Sequence, residues 1–124
     1  METLNPSSAP TPVGPYSVAV KSNGFIFVSG QIPMDRSNGQ VSVLDIEEAT
    51  HRVLKNISAI LEEAGSSLEK VLKVNVYITD ISQFNRFNNV YTQYFPAHRP
   101  ARSVVEVSRL PKGVPLEIEV IAEA

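Results

Sequence analysis

Ile46, Ala49, Val53, Ile57, Ile60 and Ala64 recur every three or four positions, the spacing of one apolar helical face. Asp45 with Glu48 three residues on resembles a capping box with aspartate in the cap position, and Gly65 is placed to stop the helix. Residues 45–64 are therefore predicted as the first helix. Phe84, Phe87, Tyr91 and Tyr94 set out a second stripe, with Asp80 or Ser82 as its cap and Pro96 and Pro100 beyond its end. This predicts a helix running to about residue 94. Alternating or continuous apolar runs predict strands at 16–21, 25–29, 71–78, 101–107 and 114–122. The first two flank Ser22-Asn23-Gly24, and Asn-Gly between apolar runs is a strong hairpin signal. Residues 30–44 are turn-rich, and residues 1–15, rich in Pro, Ser and Thr, read as an extended arm. The order β-β-α-β-α-β-β predicts an α+β fold in two layers, with a mixed sheet and two helices on one face.

The strands leave one face of that sheet uncovered. In residues 71–78, Leu72, Val74, Val76 and Ile78 share one face, while Val71, Lys73, Asn75 and Tyr77 share the other. In the last strand, Leu116, Ile118 and Val120 oppose Glu117, Glu119 and Ile121. In residues 101–107, Ser103, Val105 and Val107 oppose Arg102, Val104 and Glu106. The second face thus carries Tyr77, Val104 and Ile121 among charges. Two readings of it stand: one wet face of an antiparallel sheet, or a face covered by another subunit. Arg102 and Glu117 fall on this face, on two strands expected to form a hairpin, where neighbours lie about 5–8 Å apart. An ordinary cross-strand ion pair accounts for that placement. So does a site, because a guanidinium matches a carboxylate in a two-bond fork and so suits a small organic acid.

Composition narrows the chemistry. A chain of 124 residues suits one domain spanning 1–124 with one core. The net charge of −2, with no Lys/Arg cluster, gives nucleic-acid binding no electrostatic support. No cysteine is present, which excludes disulfides and thiolate metal sites, and His51 and His98 are too few for a His-rich site. Both histidines read as surface residues. No apolar run approaches the ~20 residues needed to span a bilayer. Residues 1–12 lack a basic region, an apolar stretch and any arginine, so no signal peptide or presequence is expected. Cytosol is the default compartment, with the mitochondrial matrix as the alternative. Ser29 sits in Val-Ser-Gly-Gln, which is not a nucleophile elbow.

Four segments carry a resemblance to the Rid/YjgF family of reactive-intermediate imine deaminases. They are Gly14-Pro15-Tyr16-Ser17; Val28-Ser29-Gly30-Gln31-Ile32-Pro33; residues 71–80 with 84–95, including Phe87-Asn88; and Pro100-Ala101-Arg102-Ser103 with Leu110-Pro111 and Leu116-Glu117-Ile118-Glu119. Each motif is weak alone; the four in order cover about residues 8–122. The resemblance implies a chorismate-mutase-like homotrimer with a central β-barrel, helices outside and sites in the clefts between subunits. It implies hydrolysis of 2-iminobutanoate and 2-iminopropanoate, or their enamine tautomers, to 2-keto acids and ammonia, without metal or organic cofactor. Carried over, Arg102 clamps the substrate carboxylate and Glu117 orients or activates the attacking water. Tyr16, from the neighbouring subunit, and Ser29 close the pocket, and the Gly30 backbone lines it. Asn88 has a structural role, bonding nearby backbone. Many relatives have Cys where this chain has Val104, so thiol chemistry is closed to it, although the Val104 backbone remains able to touch substrate. Two other activities stand beside the deaminase: a non-catalytic trimer that binds a small acid or a protein, and a translation-inhibiting endoribonuclease.

Overall fold

The computed structural model describes residues 1–9, 11–41 and 45–124; Pro10 of the arm and residues 42–44, the end of the turn-rich stretch, lie outside the described residues. Among the described residues the strands and α-helices follow in the order β1 (Glu2–Leu4), β2 (Ala19–Ser22), β3 (Phe25–Gln31), α1 (Ile46–Glu63), β4 (Val71–Ile78), α2 (Phe84–Tyr94), β5 (Ala101–Glu106) and β6 (Leu116–Glu123). The strands form one mixed sheet in the order β1-β2-β3-β6-β4-β5. Among the described strands only β4 and β5 run parallel, joined through α2 as a β-α-β crossover. The architecture is the expected two-layer α+β. The arm is not free, since β1 adds to β2 as an antiparallel edge strand.

Local chemistry explains most of the boundaries. Asn23 and Gly24 have φ of 52° and 84°, the two positive values a tight hairpin turn requires. The Asp45 carboxylate accepts the Glu48 N–H at 2.9 Å, satisfying one of the free donors at the start of α1. Gly65 ends the helix at φ 87°. Asp80 accepts from Ser82 N–H and caps a short 3₁₀ turn, Ile81–Gln83, that leads into α2.

The core lies between the helices and one sheet face: Ile46, Val53, Leu54, Ile57, Ile60 and Leu61 of α1 and Phe87 of α2 meet Ile26, Val74, Val76, Ile78, Leu116 and Ile118. Two bulges bend the alternation. One falls between Val71 and Lys73. It buries Val71 completely and leaves Leu72 38% exposed, the reverse of their predicted faces, because an extra residue flips the side chains beyond it. The other lies in β3 between Val28 and Gln31, which is where Ser29 and Gly30 sit.

The topology also corrects the placement of Arg102. β5 and β6 are not a hairpin. The crossover lays β5 beside β4 on its outer side, and β6 inserts between β3 and β4. In register, Arg102 pairs with Val74 and Val104 with Val76, so both face the helices, and Val104 packs against the core. The open face instead carries Val105, 46% exposed, with Phe25, Phe27, Tyr77, Ile121, Glu117 and Glu119. Within one chain, Arg102 and Glu117 therefore lie on opposite faces with β4 between them.

Candidate functional site

Two separate half-sites hold the candidate residues. The first is built around Glu117. The β3 bulge brings Gly30 so close to this side chain that a Cβ on Gly30 would sit 2.1 Å from one carboxylate oxygen. Only glycine leaves the carboxylate its place. Tyr16, Gly30, Gln31, Pro111, Lys112 and Glu117 line a cleft of about 170 Å³. Tyr16 stands at its mouth, 54% exposed, against Gly14. Burial pushes the Glu117 carboxyl above its ordinary 4.5, and neighbouring Glu119 adds to the rise. Glu119 is itself occupied, accepting from the Tyr77 hydroxyl at 2.7 Å and from Asn75 at 3.2 Å. Ser29 does not line this cleft. Its hydroxyl donates to the Ser17 carbonyl at 2.7 Å, tying the bulge to the chain that presents Tyr16.

The second half-site is built around Arg102 under α2. Its Nη1 donates to the Asn88 side-chain oxygen at 2.8 Å. The guanidinium carbon lies 4.7 Å from the ring centre of Tyr91, 5.5 Å from Phe84 and 5.8 Å from Phe87, distances at which aromatic faces attract a cation. Asn88, Tyr91, Arg99 and Arg102 line a recess of about 360 Å³ with Thr92, Phe95 and Pro100. Asn88 thus holds the Arg102 side chain itself, not the nearby backbone expected of it. Val104 points into the core beside this recess, and as part of an edge strand it offers backbone groups on its outer side.

The sequence reading missed the aromatic cradle of Arg102 and the presence of Lys112 beside Glu117. The cradle was readable in part, since Phe84, Phe87 and Tyr91 were assigned to one stripe. That the stripe meets Arg102 depends on a parallel register that no local pattern encodes. Lys112 has φ 58°, an uncommon conformation for a side-chain-bearing residue. The histidines lie elsewhere. His51 is half-buried, not solvated, with Nδ1 2.7 Å from the Tyr94 hydroxyl, and the His98 Nε2 bonds the Val71 carbonyl. Among the described residues no group of three His, Cys, Asp or Glu comes together to hold a metal ion, and no helix is long and apolar enough to cross a membrane. A wider cleft of about 730 Å³ beside α1 gathers Arg36, Arg52 and Lys55 with Ser7 and Ser8, apart from both half-sites.

The chain is similar to known proteins over nearly its whole length. A RutC family protein of Pyrococcus abyssi is 54% identical over 121 residues, covering 98% of this chain and 95% of that protein. The solved structure of YyfA from Yersinia pestis, of the Rid family, superposes with a TM-score of 0.95 at 44% identity, covering 99% and 98% of the two chains. TdcF of E. coli, solved with bound serine, gives a TM-score of 0.93 at 38% identity over 100% and 99%. The family model described as Endoribonuclease L-PSP matches residues 6–124. By sequence and by fold, the chain belongs to the Rid/YjgF family.

Proposed function

We propose that the protein hydrolyses 2-imino acids such as 2-iminobutanoate and 2-iminopropanoate to 2-keto acids and ammonia, at sites shared between subunits of a homotrimer. The observation that carries this reading is the division of the site. A guanidinium held for an anion sits on one sheet face, and a carboxyl with a raised pKa lies on the other. Neither half is sufficient, and a neighbouring copy seated on the open face supplies the missing half. Tyr16 and the Gly30 backbone then close the pocket beside Glu117, and Val104 contributes backbone alone.

The chemistry follows from the groups present. Arg102 binds the carboxylate and fixes the imine carbon. Glu117 takes a proton from water as its oxygen adds to that carbon. That proton passes to nitrogen to give the carbinolamine, whose hydroxyl then loses its own proton to Glu117 as the C–O double bond forms; the C–N bond breaks and this second proton leaves with the nitrogen as ammonia. Proximity and a carboxylate base, typically 10²–10⁴-fold, suffice for an imine that water already attacks. No step calls for a metal or cofactor. Serine bound to the relative TdcF supports a small ligand bearing a carboxylate. The whole chain works as one domain, in the cytosol or alternatively the mitochondrial matrix.

The test generates imines in place with a dehydratase or amino-acid oxidase and measures ammonia and keto-acid release with and without the protein. Unchanged release rejects the reading. A second reading draws on the description of the family model, endoribonuclease. The net charge of −2 opposes it. RNA cleavage that survives Arg102→Ala and Glu117→Gln would favour it. A trimer that binds small acids without turnover would show saturable keto-acid binding and no ammonia release.

A further inference from the structure

The recess beneath α2 holds more positive charge than one carboxylate can use. Asn88, Tyr91, Thr92 and Phe95 follow one another at the three- and four-residue steps of a single helical stripe. That stripe lies over the start of β5, the edge strand of the sheet, where the incoming chain adds Arg99 and Arg102 to the lining. Among the described residues no aspartate or glutamate lines this recess. Two arginines therefore share a space of about 360 Å³ with no acidic side chain on its walls, in a chain whose net charge is −2.

The two arginines are held differently. Arg102 is fixed by its bond to Asn88 and by the aromatic rings around its guanidinium. Arg99 is exposed, and among the described residues its side chain has no hydrogen-bond or ion-pair partner. Its donors are left for solvent or a ligand. Like charges in one small space repel each other, and an anion that meets both relieves the repulsion. A monocarboxylate fills one guanidinium fork and leaves the second cation without a counter-charge. We propose that Arg99 is a specificity residue that selects acids with a second carboxylate at the end of the side chain; for the reaction above, these are the 2-imino dicarboxylic acids. Arg102 takes the carboxylate next to the imine carbon and Arg99 takes the distal one. This rests on the reading of Arg102 as the carboxylate clamp. The distal carboxylate takes no part in the hydrolysis, which still yields a keto acid and ammonia.

The probes are 2-oxoglutarate, its 5-amide, which keeps the size and loses the distal charge, and 2-oxobutanoate. Calorimetry on the parent should give roughly tenfold tighter binding of 2-oxoglutarate than of the amide. In Arg99→Gln the acid and the amide should bind within about twofold of each other, with 2-oxobutanoate bound as in the parent. KM should rise in this variant for 2-iminoglutarate, generated from glutamate by an amino-acid oxidase, and stay parental for 2-iminobutanoate. Arg99→Lys should keep part of the preference, since it keeps the charge without the fork. A parent that binds acid and amide equally overturns the proposal and leaves the deaminase reading in place. A preference that survives Arg99→Gln also overturns it. So does a fall in melting temperature or oligomeric mass with that preference intact, which assigns Arg99 to packing against a neighbouring copy. A parent that shows the preference, loses it in Arg99→Gln and releases no ammonia from either imine upholds Arg99 as the distal clamp and overturns the deaminase reading alone. A parent that binds none of the three probes overturns both.

Discussion

At the scale of single residues, the two half-sites make separable demands. Arg102→Ala removes a charge-assisted contact of about 1.5–3 kcal/mol per hydrogen bond. Steady-state kinetics should show kcat/KM falling about tenfold to a thousandfold. Arg102→Lys should rescue only part, since ammonium lacks the fork. Glu117→Gln should lower kcat while sparing keto-acid binding. Its pH behaviour follows from the raised carboxyl. The folded protein holds that proton more tightly than the unfolded chain does. Stability is therefore lost as pH rises from the ordinary carboxylate value through the raised folded value, and the loss is complete above it. Glu117→Gln should then raise the melting temperature at neutral pH and lose that advantage at about pH 4. In the parent, the acid limb of kcat/KM should lie above 4.5, the ordinary value of this group. Gly30→Ala places a methyl group 2.1 Å from a Glu117 oxygen and 2.9 Å from its Cδ. The flexible acid should move and the backbone should hold, so kcat should fall with little change in circular dichroism. If turnover stays parental in Gly30→Ala and Glu117→Gln alike, Glu117 is not the base.

At the scale of elements, local chemistry was readable and pairing was not. The Asn23-Gly24 turn, the Asp45 cap, the Gly65 stop and strand Val71–Ile78 followed from residue types and spacing. The short strand Glu2–Leu4 did not, because it owes its existence to an edge of β2 many residues away. Nor did the faces of Leu72 and Val104, since a bulge and a parallel register set them, and neither leaves a period-two signature. The same register decided the site. Arg102 and Glu117 were singled out as candidates, but placing them together on one face required a hairpin that the crossover forbids. The helix cap offers a clean check. Asp45→Ala should cost about 1 kcal/mol, seen as a melting temperature a few degrees lower. Its carboxylate also lies 3.4 Å from Arg86, but both side chains are about half exposed, where an ion pair adds little.

At the scale of the molecule, the open face is the surface that the isolated chain leaves uncovered. Phe25, Phe27 and Val105 are each at least 40% exposed there, beside the partly covered Glu117. A face of that composition favours burial against other copies. Light scattering at micromolar concentration should return three times the chain mass, and a stable monomer would remove the shared site. One feature of the sheet reaches into the history of each molecule. β6 is the last strand in the chain, yet it lies between β3 and β4 and joins the two halves of the sheet. During synthesis, β1–β3 and β4–β5 emerge earlier with no strand to connect them. Their inner edges stay open until β6 arrives. The carboxylate of Glu117 comes with that same segment, so the step that closes the sheet also completes the half-site, and a nascent chain passes through its most aggregation-prone form just before either exists.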